Sequence, residues 1–345
     1  MTPTGQLLLR NLARLQSGTK LLWINPPADE SWQAVEDSIG RIFIISQDLV
    51  SCNYLLDSGA NTRFEDFPDL EEKFDHVILS LPRGKPRLEM LLNFAGSVLN
   101  TDGRIWLLGE NKAGIRSAFS RLEERFSQVS KVDSARHCCL FEAKHPRTSV
   151  DFNPADYAAS WRLEEIYGGL HICSLPGVFA EGRLDAGTEM LLKTLPSLAP
   201  FGSVLDFGCG CGIISALMAK LDPDACITMT DIDIFALNAA GKTMEANGFQ
   251  AKILPGDGLG ALTQKFDLIV SNPPFHHGYK TDMGLSMRLL DPVRNFLSKK
   301  GSLVMVVNRH IPYRKWLDEK FGCHEVLRED SRYQVLRATQ ISSIN

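Results

Sequence analysis

The sequence lacks an apolar run long enough to cross a bilayer, for which about 18 residues are needed. Its first residues, MTPTGQLLLRNLARLQ, contain no basic start followed by an apolar core and a small-residue cleavage site. A cytoplasmic protein with no membrane partner is expected. An excess of positive charge is also missing, since 37 Lys and Arg stand against 41 Asp and Glu, a formal net charge of −4. That excludes a chain that binds nucleic acid through its global charge, so a nucleic-acid partner must be met by a local patch. None of the eight cysteines is spaced as CxxC, the pairing a structural zinc site favours, and no metal is expected. A chain of 345 residues buries a sizeable core without a disulfide framework, so its thiols read as reduced and buried.

Among the features present, the most regular is an alternation of apolar strand-like runs with amphipathic ones. In the first half Leu21–Ile24, Arg41–Ser46, His76–Ser80 and Ile105–Leu108 read as strands, and Arg87–Leu99 and Gly114–Phe126 as helices. The pattern lapses over HPRTSVDFNPADY (145–157), a linker. The second half repeats the scheme. Ser203–Asp206, Cys226–Thr230, Lys252–Leu254, Asp267–Val270, Ser302–Val307 and Tyr333–Ala338 read as strands, and Ile213–Leu221, Ile234–Ala246 and Leu285–Leu297 as helices. Such alternation predicts an α/β fold built on parallel sheets. The halves also resemble each other. FDHVILSLP (74–82) aligns with FDLIVSNPP (266–274), and VLNTDGRIWLLGEN (98–111) with FLSKKGSLVMVVNR (296–309), without a gap. We expect two domains, residues 1–148 and 149–345. In the first half the glycine loop has no counterpart and Ser80-Leu81 replaces Asn272-Pro273. It is the degenerate copy, without cofactor.

Four elements of the second half point to a site. VLDFGCGCG (204–212) ends a strand in Asp206 and then alternates Gly208, Gly210 and Gly212 before a helix. Glycines there let backbone N–H groups approach a ligand at the helix N-terminus. A nicotinamide fingerprint would place the third glycine three residues after the second, and here the spacing is two. Asp231 ends the next strand, where a carboxylate can accept from both ribose hydroxyls of a nucleoside cofactor. Asp233 reads as the cap of the helix beginning at Ile234. Asp257 in PGDG either accepts from an adenine amino group or is an ordinary turn residue. The fourth element is Asn272-Pro273-Pro274-Phe275. The prolines hold the corner extended, so the Asn272 side-chain oxygen and the Pro273 carbonyl can both accept from one planar amine. Phe275 offers a stacking face. His276 and His277 follow, and we read His276 as a substrate contact rather than a base, because the amine proton can leave after transfer.

The glycine loop resembles that of class I methyltransferases using S-adenosylmethionine. VLDFGCGCG, TDID, SNPPFHH and LPGVFAEGRLDAGTEMLL (175–192) together resemble ribosomal RNA guanine-N2 methyltransferases of the small methyltransferase-domain family. GENKAGIRS (109–117) and KVDSARHC (131–138) extend the resemblance over the first half. It implies two tandem Rossmann-like class I methyltransferase domains, with S-adenosylmethionine held by Asp206, Gly208, Gly210, Gly212, Asp231, Asp257 and Asn272. It further implies methylation of a guanine amine in small-subunit (16S) rRNA within the small ribosomal subunit, by a monomer. It places 175–192 across the cofactor pocket; read on its own, that stretch is a turn followed by helix 186–195. In the first half Arg83, Lys85 and Arg87 are candidate phosphate contacts. Two other functions stay open: methylation of another planar amine, adenine N6 or a protein glutamine, and a non-enzymatic assembly factor on the same fold.

Overall fold

Short apolar runs without polar alternation become strands buried on both faces, as parallel sheets require. The computed structural model describes residues 1–70, 72–147, 151–164, 168–179, 182–260, 262–273 and 291–340, and the chain divides into two compact units, Met1–Ala158 and Ala159–Asn345. The expected boundary lay at 148/149. The following residues pack on the first unit instead: the Phe152 ring lies 4.6 Å from Phe67 and 5.3 Å from Phe94, and Asn93 Nδ2 donates to the Tyr157 hydroxyl.

The first unit runs α1 (Pro3–Leu9), β1 (Leu21–Ile24), α2 (Ser31–Ile39), β2 (Ile42–Ser46), α3 (Leu49–Asp57), β3 (Thr62–Phe64), β4 (Phe74–Ser80), α4 (Lys85–Ser97), β5 (Leu99–Glu110), α5 (Ile115–Arg125), β6 (Phe126–Ala135) and β7 (Cys138–Pro146). The second opens on the hairpin β8 (Ala159–Arg162) and β9 (His171–Ser174), then α6 (Ala186–Leu192). It continues with β10 (Ser203–Phe207), α7 (Ile213–Leu221), β11 (Cys226–Asp231), α8 (Ile234–Ala246), β12 (Lys252–Pro255), β13 (Phe266–Ser271), α9 (Val293–Phe296), β14 (Leu297–Asn308), α10 (Tyr313–Phe321), β15 (Glu325–Glu329) and β16 (Tyr333–Thr339).

The two main sheets have one topology. The first is ordered β3-β2-β1-β4-β5-β7-β6 and the second β12-β11-β10-β13-β14-β16-β15. In each, the first five strands pair in parallel, and the sixth in the order, β7 or β16, runs antiparallel to both of its neighbours. The correspondence extends to single residues. The register slips after Phe74↔Leu99 in one sheet and after Phe266↔Leu297 in the other. Asp75 accepts from the Lys20 N–H at 3.0 Å, and Asp267 accepts from the Ser203 N–H at 3.0 Å. Gly103 and Gly301 sit in the matching bulges, where an added Cβ would stand 3.1 Å from the Phe74 carbonyl and 2.6 Å from the Phe266 carbonyl.

Several boundaries differ from expectation. The helix expected over Leu285–Leu297 is described only from 291 on, and there α9 spans Val293–Phe296 while Leu297 already pairs in β14. Helix α6 stops at Leu192, not 195, because Pro196 follows in a separate 3-10 turn. Helices α2, α3 and α10 and the edge strands β3, β6 and β15 lie where no element was expected.

Candidate active site

In a doubly wound sheet, ligands bind at the carboxyl ends of the strands where the strand order reverses. In the second unit that point lies between β10 and β13. The C-terminal end of β10 delivers Asp206 and the glycine loop, and the end of β13 delivers Asn272. Ser271 joins them, donating its Oγ to the Phe207 carbonyl at 2.8 Å. The sheet brings together two motifs that are 64 residues apart in sequence.

Within the loop the glycines divide by task. Gly208, Gly210 and Gly212 all take positive φ, at 72°, 53° and 78°. A Cβ on Gly208 or Gly210 would meet nothing within 4 Å, so these two present bare backbone to open space. A Cβ on Gly212 would lie 2.8 Å from Met229 Cε and 3.0 Å from Ala240 Cα. Gly212 is therefore a packing residue that seats α7 against β11 and α8. Cys209 and Cys211 point into the protein and are buried. Burial pushes the Cys211 thiol up to about 11 and Cys209 well above its ordinary value, so neither is a nucleophile at neutral pH.

Two carboxylates flank the loop. Asp206 is fully buried, and its Oδ2 accepts from Ser215 Oγ at 2.7 Å. Its Oδ1 has no partner among the described residues. Burial pushes its carboxyl up to about 7, the Ser215 hydrogen bonds oppose this, and the nearby Asp231 charge adds to it. Asp231 ends β11, and its Oδ2 and Oδ1 accept from the N–H groups of Gly210 and Asp233, each at 3.0 Å. Burial pushes it up to about 6 against those two hydrogen bonds. A carboxylate has about four acceptor positions, so roughly two remain for a diol. Asp233 caps α8, accepting from the Phe235 N–H at 3.0 Å. Gly256 donates to the Asp231 carbonyl at 3.0 Å, which brings the partly buried Asp257 to the same sheet end.

Asn272 is partly exposed at the end of β13. Its Nδ2 donates to Thr188 Oγ1 at 2.8 Å, and Pro273 behind it is buried. One N–H of the amide is thus taken, and among the described residues Oδ1 remains as acceptor. Thr188 and Ser215 escaped the sequence reading, because each acts through a partner made local only by folding. Phe275, His276 and His277 lie outside the described residues. A cavity of about 300 Å³ lined by Leu192, Lys193, Pro196, Leu217, Lys220 and Leu221 sits at the opposite ends of α6 and α7 from Thr188 and Gly212, away from this chemistry.

These groups fit S-adenosylmethionine. The open face of Gly208 and Gly210 leaves room for backbone approach, the acceptor positions of Asp231 suit a ribose, and the orphaned Asp206 Oδ1 suits a donor or cation.

In the first unit the same positions are filled. By register Trp23 occupies the place of Asp206 and Ser46 that of Asp231. Asn25 takes the place of Gly208, with φ 55°, and its N–H donates to Ile45 as that of Gly208 donates to Thr230. Its side chain exchanges two 2.8 Å hydrogen bonds with Gln47 across the turn. Leu81, at the first unit's position matching Pro273, packs so closely that a Cβ on Gly109 would be 2.7 Å from its own Cβ. Arg83 and Lys85 are exposed and Arg87 partly so, around Gly84, which caps α4.

Comparison with known proteins agrees with this architecture. Residues 169–337 match the Methyltransferase small domain family, and residues 5–161 match the Methyltransferase small domain N-terminal family. The ribosomal RNA small subunit methyltransferase C of Shewanella baltica (strain OS155) is 36% identical, over 97% of this chain and 98% of its own. That of Hahella chejuensis is 35% identical over the same shares. A solved T. thermophilus 16S rRNA N2 methyltransferase, in complex with AdoMet and guanosine, superposes with a TM-score of 0.87 at 23% identity, covering 98% of this chain and 92% of that one. The fold is shared throughout, and with two units and relatives matched over 97% of its length, the chain belongs to the ribosomal RNA small subunit methyltransferase C family.

Proposed function

We propose that the second unit transfers a methyl group from S-adenosylmethionine to the exocyclic N2 amine of a guanine in 16S rRNA, and that the first unit holds the RNA. The observation that carries this is Asn272 at the switch point, its Nδ2 fixed by Thr188 and its Oδ1 left to accept. Support comes from curated relatives over the full chain that are named as small-subunit rRNA methyltransferases, and from the T. thermophilus structure that holds guanosine.

When bound, the cofactor supplies an electrophilic methyl on a cationic sulfur. The chain supplies position. Asp231 accepts from the ribose, and Asp257 from the adenine amine. Asn272 Oδ1 and the Pro273 carbonyl accept the two N–H bonds of the guanine amine, which aims its lone pair. One N–C bond forms as one S–C bond breaks, and the extra proton leaves to water from the methylated nitrogen. No general base is needed, so catalysis is positioning and desolvation. Phe275, next along the chain, offers a ring for the extruded base, and stacking returns about 1–3 kcal/mol. His276 follows it as a substrate contact.

In the first unit Arg83, Lys85 and Arg87 surround the positive N-terminus of α4 and bind backbone phosphates. The enzyme works as a cytoplasmic monomer on the small ribosomal subunit. Among the described residues no helix is long and apolar enough to cross a membrane. The test is transfer of labelled methyl to small subunits, naked rRNA, DNA and a protein extract, beside Asn272→Ala. Label on small-subunit rRNA that disappears in the variant supports the reading. Label confined to DNA or protein refutes the substrate.

A further inference from the structure

We propose that Thr188 is a positioning residue for methyl transfer, holding the Asn272 amide so that its oxygen meets the acceptor amine. The inference rests on the methyl-transfer reading of the Asn272 corner and adds to it the residue that keeps the corner in working order.

An asparagine amide presents an acceptor on one side and a donor on the other. Its terminal torsion is broad and roughly two-fold, so intrinsic preference does not choose between them. Asn272 is partly exposed, so packing alone does not immobilise it. A planar amine acceptor has only N–H bonds to offer in the ring plane. Turned the wrong way, Asn272 would set donor against donor. The substrate amine therefore requires Oδ1, which leaves Nδ2 in need of an acceptor. Thr188 Oγ1 is that acceptor, at 2.8 Å, on a residue that is itself 4% exposed.

Thr188 can hold this position because it is anchored independently. It lies in the first turn of α6, and its backbone N–H donates to Asp185 Oδ2 at 3.0 Å. The preceding Gly187 packs on β16, where an added Cβ would be 3.3 Å from the Tyr333 ring. Met190, Leu191 and Leu192 then bury the rest of the helix. In the run Asp185-Ala186-Gly187-Thr188, the aspartate caps, the glycine permits close packing and the threonine holds the amide. The segment before β10 thus acts on the acceptor side of the site, through the hydroxyl of one residue.

The experiment compares Thr188→Val, which keeps the shape and removes the hydroxyl, with Thr188→Ser, which keeps the hydroxyl. Methyl-transfer kinetics on small subunits, S-adenosylmethionine affinity by calorimetry and Tm are measured for both, beside Asn272→Ala. The expected result is a kcat about 10- to 100-fold lower in Thr188→Val, the scale of a misplaced reacting group, with cofactor Kd within about twofold of wild type. Thr188→Ser recovers kcat to within about threefold. Wild-type kcat in Thr188→Val overturns the inference. So does a loss that Ser fails to restore, or one that cofactor affinity and Tm share equally. If Asn272→Ala retains full kcat, the reading of the corner fails. If Asn272→Ala is inactive while Thr188→Val is not, the inference alone fails.

Discussion

Asp206→Asn separates the stability of the second unit from its ligand binding, and the effect depends on pH in a definite direction. Asp206 is fully buried beneath the glycine loop, and burial holds its carboxyl at about 7 against an ordinary 3.8. Its folded pKa is raised, so the folded state binds more protons than the unfolded one between those values, and the group's contribution to stability falls as pH rises through that window. The shift of about 3 units corresponds to roughly 4 kcal/mol above pH 8. More than half of this, roughly 2–3 kcal/mol, accrues between pH 5 and pH 8. Asparagine keeps an acceptor for Ser215 Oγ and carries no charge, so the variant is spared the loss. Calorimetry without ligand, following the transition that S-adenosylmethionine shifts in wild type, reads the difference. At about 2–4 °C per kcal/mol for a unit of this size, Tm of Asp206→Asn relative to wild type should climb by roughly 5–10 °C between pH 5 and pH 8. Cofactor affinity should fall in the same variant. A Tm difference that is constant across those pH values would refute the reasoning.

Three further outcomes follow from the structure. Gly212→Ala adds a Cβ 2.8 Å from Met229 and 3.0 Å from Ala240 at φ 78°, and should lower stability by about 2–5 kcal/mol in urea unfolding. Gly208→Ala should lower it by only about 1–2 kcal/mol while weakening cofactor binding, since its Cβ enters open space. His76 on β4 is buried beside Trp106, and burial, helped by Arg104 and Lys144, holds its pKa down to about 3. Stability is then lost as pH falls from 6.5 toward 3, and between pH 8 and pH 5 wild type should lose about 2 kcal/mol more than His76→Leu, which installs the residue found at the matching position 268, in the calorimetric transition of the first unit. Replacing Arg83, Lys85 and Arg87 with Glu should weaken rRNA binding and flatten its dependence on salt in filter-binding titrations, whereas an unchanged slope removes them from the RNA contact.

The legible part of this fold is the part set by local chemistry. Strands buried on both faces, such as Leu21–Ile24 and Phe266–Ser271, leave continuous apolar runs in the sequence. Helices α7 and α8 run over the residues expected, because a glycine turn precedes one and the Asp233 cap the other, with Asn247-Gly248 ending the second. Edge strands were silent. Phe126–Ala135 and Glu325–Glu329 are largely polar and partly exposed, so they carry no core signal until a neighbouring strand fixes them. Helix α9 is four residues long, and the Gly301 bulge starts β14 earlier than its apolar core suggests. At the site the glycines could be named because their positive φ favours glycine, and Asp206 and Asn272 because they stand beside the glycine and proline motifs in the sequence. Thr188 could not, since its partner is 84 positions away and threonine is common in first helical turns. The Asn-Pro-Pro at 25–27 repeats the first three residues of the 272–275 corner, but it follows β1, and its Asn25 closes the first unit's turn in the left-handed conformation that Gly208 takes in the second.

The central claim is that the corner at Asn272 methylates a guanine amine. The most direct measurement is mass-spectrometric analysis of nucleosides from 16S rRNA after small subunits are incubated with enzyme and S-adenosylmethionine labelled at the methyl group. The expected result is label in N2-methylguanosine alone and none with Asn272→Ala. Label in N6-methyladenosine, in a ring-methylated guanosine, or in rRNA treated with Asn272→Ala at the wild-type level would contradict it.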